Sequence, residues 1–383
     1  MPKLTRLLVL SIVSIMGFAL LARAATDKLI TGWALVAPAP QPIAYHRAVF
    51  AGNRVLMIGG EVPVWTTPIA PLLQAKVESD GSIRQWATPV VASATRLPQP
   101  LHRHAVVQAS RCMTNVLYLI GGYSNGNRYA QVWRTYWNVS LGQLSGWTEV
   151  HNYPRKIILH EAIYTKNRIY VLGGLDEADE PLDEVYSVEV YGNGDLATWR
   201  TETKLPKPLY RFATVSYAGD GKQYIYVIGG YDGKEFQQAI YRAEIGDSGG
   251  WPEWKKIGLL PRALAYHRAA IISNQLIVIG GTGNDGSYNE VYSVVLNADN
   301  KLGDWQAESN LPDSISRFAA MPVTLPDWPA PVLYVIGGSN GDNFRTQVYH
   351  SQPAPPLIPT NTPSVIVVPN LFASYLPIIL QCP

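Results

Sequence analysis

The chain has 383 residues, 47% of them apolar and 16% charged, so it is too apolar to be disordered and long enough for one large all-β domain. Its 32 Gly, 29 Pro, 22 Tyr and 11 Trp favour many short strands over long helices. Two cysteines, Cys112 and Cys382, exclude a cysteine-rich zinc cluster or a disulfide scaffold, and a formal charge of +2 offers little to phosphate backbones.

Lys3 and Arg6 precede an uncharged run from Leu7 to Leu21, and Ala22-Arg23-Ala24 follows with the small-x-small pattern of a peptidase site. Residues 1–24 are therefore expected to be an export signal, too short for a membrane span. Its removal takes away Lys3, Arg6 and Arg23 and no acid, turning the balance to −1. An extracellular or cell-surface protein with no nucleic-acid partner and no transmembrane span is expected.

From Asp27 the chain is repetitive. A strand-like run ends in a glycine pair six times, at Gly59-Gly60, Gly121-Gly122, Gly173-Gly174, Gly229-Gly230, Gly280-Gly281 and Gly337-Gly338, spaced by 62, 52, 56, 51 and 57 residues. After most pairs comes an Asn/Asp/Gly turn, such as Tyr123-Ser124-Asn125-Gly126-Asn127, and then a third strand such as Val185–Val190. An apolar residue three positions before a tryptophan marks a fourth: Ile83 and Trp86, Leu144 and Trp147, Leu196 and Trp199, Trp251 and Trp254, Leu302 and Trp305. Leu-Pro pairs at 97–98, 205–206, 260–261 and 311–312 lead into the next unit. The sixth unit stops after its third strand, near Tyr349, and lacks the tryptophan strand. Asp27–Trp33 matches Asp80–Trp86 in spacing, so the N-terminal strand is predicted to complete the last unit, with Trp33 standing where Trp305 stands in the one before.

Aligning the first strands on the small residue that opens them gives the column His46, Arg103, His160, Arg211, His267 and Arg317, followed by Arg47, His104, Glu161, Phe212, Arg268 and Phe318. The first column is predicted to ring a central channel with nitrogen donors. It would either tie adjacent units through backbone carbonyls or bind an anion, more strongly once histidine protonates below about pH 6.5. Glu161, the one acid in the two columns, reads either as a base beside Arg103 or Arg211 or as a counter-charge. Asp176, Glu177, Asp179, Glu180, Asp183 and Glu184 form an acidic cluster, read as a solvated loop or a divalent-cation site. Trp65, Trp133, Trp137 and Trp328 depart from the repeat and read as exposed rings able to stack on sugars, Trp65 and Trp328 above all because they lie in irregular loops. No catalytic triad, metal centre or cofactor motif is found, and Cys112 reads as buried. Residues 353–364 read as a proline-rich linker and 365–383 as an apolar tail that packs, disorders or retains the protein at a surface.

The glycine pair, the aromatic third strand and the closing tryptophan resemble the kelch repeat over residues 27–352. The resemblance implies an all-β fold: a six-bladed β-propeller of four-stranded antiparallel blades spanning residues 25–352, the last closed by the N-terminal strand. Because the repeat accounts for nearly every distinctive residue, an exported, non-catalytic, monomeric scaffold for a protein or glycan ligand is expected. The alternative is an enzyme acting on an anionic sugar, by resemblance to the six-bladed kelch-type sialic-acid mutarotase, whose catalytic loops have no counterpart here. A kelch-type copper radical oxidase would have to build its cysteine-tyrosine cross-link on Cys112 alone. The terminal Tyr375-Leu376-Pro377 run resembles an ending of exported proteins in some filamentous bacteria and implies surface attachment.

Overall fold

The computed structural model describes residues 28–63, 72–88, 90–91, 97–111, 114–297, 301–325, 328 and 330–353. The predicted signal segment, Trp65, Cys112, Cys382, the linker beyond Pro353 and the tail lie outside them.

The described chain is all-β and forms a six-bladed propeller of small antiparallel sheets. Blade 3 shows the plan: Glu161–Thr165, Arg168–Leu172, Val185–Glu189 and Arg200–Thr201 pair in sequence order. The first strands, which include Arg47–Ala51, Ala105–Arg111 and Ala213–Gly219, touch one another in a closed cycle around the axis. Second strands such as Arg168–Leu172 are buried on both faces, which is why they read as unbroken apolar runs rather than alternating ones. The core is accordingly distributed: six apolar clusters, one at each blade interface, carry the burial. Blade 2 departs from the plan, its outer strand being split into Gln143–Leu144 and Thr148–Glu149.

The ring closes as expected. Ile30–Leu35 pairs with Val348–Pro353, Trp33 facing Ser351 and Leu35 facing Tyr349. Trp33 donates its indole N–H to Ser309 O, four residues past Trp305 in blade 5. Trp86, Trp199 and Trp254 do the same to Ala37, His151 and Thr203, each four residues past the closing tryptophan of the preceding blade. Trp305 reaches Leu259, five past Trp254, because the outer pair of blade 4 carries a register shift. Trp33 is thus the equivalent of Trp305.

The glycine pairs are needed at the blade interfaces. Gly173 has φ +53°, and a Cβ there would lie 2.3 Å from Leu209 O and 2.9 Å from Phe212 Cε1 of the next blade. The second glycine of each pair donates its N–H across the same interface, as Gly174 does to Leu209 O at 2.9 Å. A side chain at the first position would pry the blades apart.

Candidate functional site

Each blade enters its first strand through a buried aliphatic residue: Ile43, Leu101, Ile157, Leu209, Leu264 or Ile315. Two residues on, Tyr45, Arg103, Leu159, Arg211, Tyr266 and Arg317 all take a left-handed backbone, with φ between 54° and 60°. That conformation costs a non-glycine residue about 1–2 kcal/mol. It turns each N–H onto the carbonyl of its counterpart in the preceding blade: Tyr45 on Arg317, Arg103 on Tyr45, Leu159 on Arg103, Arg211 on Leu159, Tyr266 on Arg211 and Arg317 on Tyr266. These six bonds, 2.8–3.3 Å long, form a closed backbone hoop around the channel.

This hoop corrects the predicted column. Arg103, Arg211 and Arg317 belong to it and line the channel, but His46, His160 and His267 stand one residue further on. The register that aligns the blades therefore runs His46, His104, His160, Phe212, His267 and Phe318, all 0–1% exposed. Their rings cover the first glycine of the preceding blade, imidazole and benzyl occupying the same slot. Burial, with Arg47 and Arg268 nearby, brings His46 down to about 3. Burial likewise brings His160 and His267 to about 3 and holds His104 well below the ordinary imidazole range. These rings stay neutral near pH 6.5, contrary to the expectation that they would charge there and strengthen an anion site.

The upper tier of the site is built on the hoop. Arg211 stacks over Tyr210 at 4.7 Å and Tyr266 at 4.5 Å. Arg317 lies over Tyr45 and Tyr266 and donates to Ser339 Oγ and Gly341 O. Arg103 lies over Tyr45 and Tyr123, 3.4 Å from Glu61, whose carboxyl is held below its usual range chiefly by its hydrogen bond to His102. The hydroxyls of Tyr45 and Tyr266 meet at 3.2 Å. Arg211 has no carboxylate and no hydrogen-bond acceptor among the described residues. The alternation of three arginines with Tyr45, Leu159 and Tyr266 makes the cup a ring of two-blade units.

Below it the channel is plugged. At the next level inward the blades present Arg47, Ala105, Glu161, Ala213, Arg268 and Ala319, and Glu161 bridges both arginines. Its Oε1 accepts from Arg47 Nη2 and Arg268 Nη1, each at 2.9 Å, and Oε2 from Arg47 Nη1 at 3.0 Å. Glu161 is a counter-charge, and its partners are Arg47 and Arg268 rather than Arg103 and Arg211. Burial pushes its carboxyl up, but the two guanidinium groups outweigh it and hold the pKa below the usual value. Removing one member of such a set leaves uncompensated buried charge, so Glu161→Gln is expected to cost about 3–5 kcal/mol in urea unfolding at pH 7. A loss under about 1 kcal/mol would show that the plug does not support the fold. The plug divides the channel into an upper cavity of ≈ 30 Å³ under the cup and a lower chamber of ≈ 130 Å³.

The other candidates are dispersed. The acidic cluster is answered by cations: Asp179 by Arg128, Glu177 by Lys156, Glu184 by Arg155 and Asp183 by Lys204. No grouping of three metal-ligating side chains occurs among the described residues. Trp133 and Trp137, expected to be exposed, are 4% and 2% exposed, packed between blades 1 and 2. Trp328 lies in the connection between the first two strands of blade 6, packed at the interface with blade 1. It is half-buried against His350, with its indole N–H on Ser79 O. The sequence reading missed Tyr45 and Tyr266, and it placed Arg47 and Arg268 in the column of Glu161 without making them its partners. Aligning on the aliphatic residue two places before the hoop, instead of on the small residue, brings the two tyrosines into register with Arg103, Arg211 and Arg317.

The KLHDC2/KLHL20/DRC7 Kelch-repeats domain matches residues 159–352. The chain is 23% identical over 165 residues, 43% of its length, to Kelch repeat and BTB domain-containing protein 2 of Cowpox virus (strain GRI-90 / Grishak). It is 28% identical over 174 residues, 45% of its length, to Kelch-like protein 35 of Mus musculus. The chain spans about a quarter of the length of these curated relatives, 26% of each.

Proposed function

Because this chain belongs to the kelch-repeat family, whose propellers are typical protein-binding scaffolds, we propose that it is a non-catalytic binding module whose arginine-lined cup receives an acidic group of a protein or glycan partner. The observation that carries this reading is Arg211, a guanidinium lying over two tyrosine rings with its donors unanswered among the described residues. A stacked arginine is oriented in advance, so little side-chain entropy is lost when an anion arrives. Arg103 and Arg317 stand beside it on the same hoop. The upper cavity, ≈ 30 Å³, has room for about one water, so an acidic group would meet the arginines at the mouth and a pyranose ring would not be enclosed. That size favours a binder over an enzyme of the sialic-acid mutarotase type, which would enclose the sugar.

The proposal includes work outside the cytoplasm or at the cell surface, as a monomer, supported by the basic start and apolar run of residues 1–24. No helix among the described residues is long and apolar enough to cross a membrane.

The test uses the propeller with a panel of acidic peptides and acidic glycans, sialosides among them. Arg211→Gln is expected to weaken binding by between about tenfold and about 150-fold, the worth of one charge-assisted hydrogen bond, with an unchanged unfolding midpoint. Equal affinity in the variant would remove the cup from the binding surface. Catalysed anomerisation of sialic acid would establish the enzyme reading in its place.

A further inference from the structure

We propose that the lower chamber of the channel, beneath the Arg47–Glu161–Arg268 plug, holds a small monovalent inorganic anion, chloride by size, against Arg268. The site is separate from the cup, and it rests on a charge imbalance at the plug. Two arginines meet one carboxylate there, and the remaining blades offer only Ala105, Ala213 and Ala319 at that level. Every nitrogen of Arg47 has an acceptor: Nε donates to His104 O, Nη1 to Glu161, and Nη2 to Glu161 and His160 O. Arg268 falls short of that. Its Nε donates to Phe318 O and Nη1 to Glu161, while Nη2 has no acceptor among the described residues.

Arg268 borders both cavities, and the lower one measures ≈ 130 Å³, room for about four waters. Its lining joins Arg47, Glu161 and Arg268 of the plug to Val106, Thr214 and five alanines, and both oxygens of Glu161 are taken by the guanidinium groups. Thr214 donates its hydroxyl to Tyr226 O, so the walls add no free donor that the structure shows. A tetrahedral oxyanion would find one donor group for its several oxygens. A monatomic ion needs no more than that, and one negative charge neutralises the single excess positive charge. In keeping with this, burial and the neighbouring Arg47 bring Arg268 down to about 10, against the opposing pull of Glu161.

The experiment measures the unfolding midpoint in sodium chloride against sodium gluconate at equal ionic strength, and locates bromide by anomalous scattering in soaked crystals. Chloride is expected to stabilise saturably, raising the folding equilibrium constant about elevenfold at ten times its Kd, with gluconate giving only the screening background. Bromide should lie beside Arg268 Nη2. Ala320→Val, or Ala269→Val should the first variant fail to fold, narrows the chamber without touching a charge and should abolish the halide dependence while leaving cup binding unchanged. Equal midpoints in the two salts, or bromide only beside Arg211, would overturn the proposal; the second result would assign the anion to the cup instead.

Discussion

Between pH 7.5 and pH 5 the protein is expected to lose roughly 6 kcal/mol of stability to three buried histidines, more once His104 is included. The sign follows from where the protons go. His46, His160 and His267 are fully buried and neutral in the fold, with values near 3, whereas the unfolded chain protonates them near 6.5. Below pH 6.5 the unfolded state therefore binds protons that the native state refuses. Stability is present in full above that point and drains away as the pH falls toward 3. Each of the three contributes about 2 kcal/mol by pH 5, and total stabilities of domains are only about 5–15 kcal/mol. Urea unfolding at half-unit steps from pH 8 to pH 5 measures this directly. The molecule supplies its own control, since blades 4 and 6 place Phe212 and Phe318 in the same slot. His160→Phe is expected to fold normally at pH 7.5 and to recover about 2 kcal/mol at pH 5. A flat profile in the wild type would mean that the imidazoles reach water or an acceptor when protonated.

Those histidines also show where the sequence stopped being legible. The blade count, the strand order and the closing role of Trp33 rest on features that recur within a unit: the glycine pair, the third strand, and the apolar residue three places before tryptophan. Such features are local, and a repeat displays each of them several times. The register of the first strand is different. His46 and Arg103 coincide when the blades are aligned on a small residue, yet the structure separates them, because what aligns the blades is the hoop of bonds between neighbours. Arg47, Glu161 and Arg268 share the second column, but a column does not say which of its members meet across the channel. Arg47 and Arg268 lie 114 and 107 residues away, and only the radius of a six-membered ring brings them within 3 Å. Trp133 and Trp137 looked surplus to the pattern because the interface that buries them belongs to two blades, one of them with a split outer strand. Pairing between units marks the sequence only where every blade uses the same residue, as at the glycine pairs, and not where one blade differs from the next.

A chain starting at Val36 is expected to lose cooperative unfolding altogether. Ile30–Leu35 is the one outer strand that is not joined to its own blade by a hairpin, so its attachment decides whether the ring holds. Ile30 is 1% exposed in the cluster between blades 5 and 6, and its N–H is held by Glu308 Oε2 at 2.9 Å, so the strand fastens to the neighbouring blade as well as its own. Without it Val348–Pro353 becomes an open edge, and the interface between blades 5 and 6 loses Ile30 and Trp33 together. A milder version measures the lock itself. Trp33→Ala removes a half-buried indole and its bond to Ser309, which should cost about 2–3 kcal/mol, and Trp305→Ala should cost the same within about 1 kcal/mol. Near-equality would show that a strand contributed by the far end of the chain carries the same load as one joined by a hairpin. A much smaller loss at Trp33 would place the lock elsewhere, with the hoop through Tyr45 and Arg317 next in line. A peptide of residues 28–36 added to the truncated chain separates the two outcomes: it should restore the cooperative transition only if strand pairing, rather than covalent continuity, holds the ring shut.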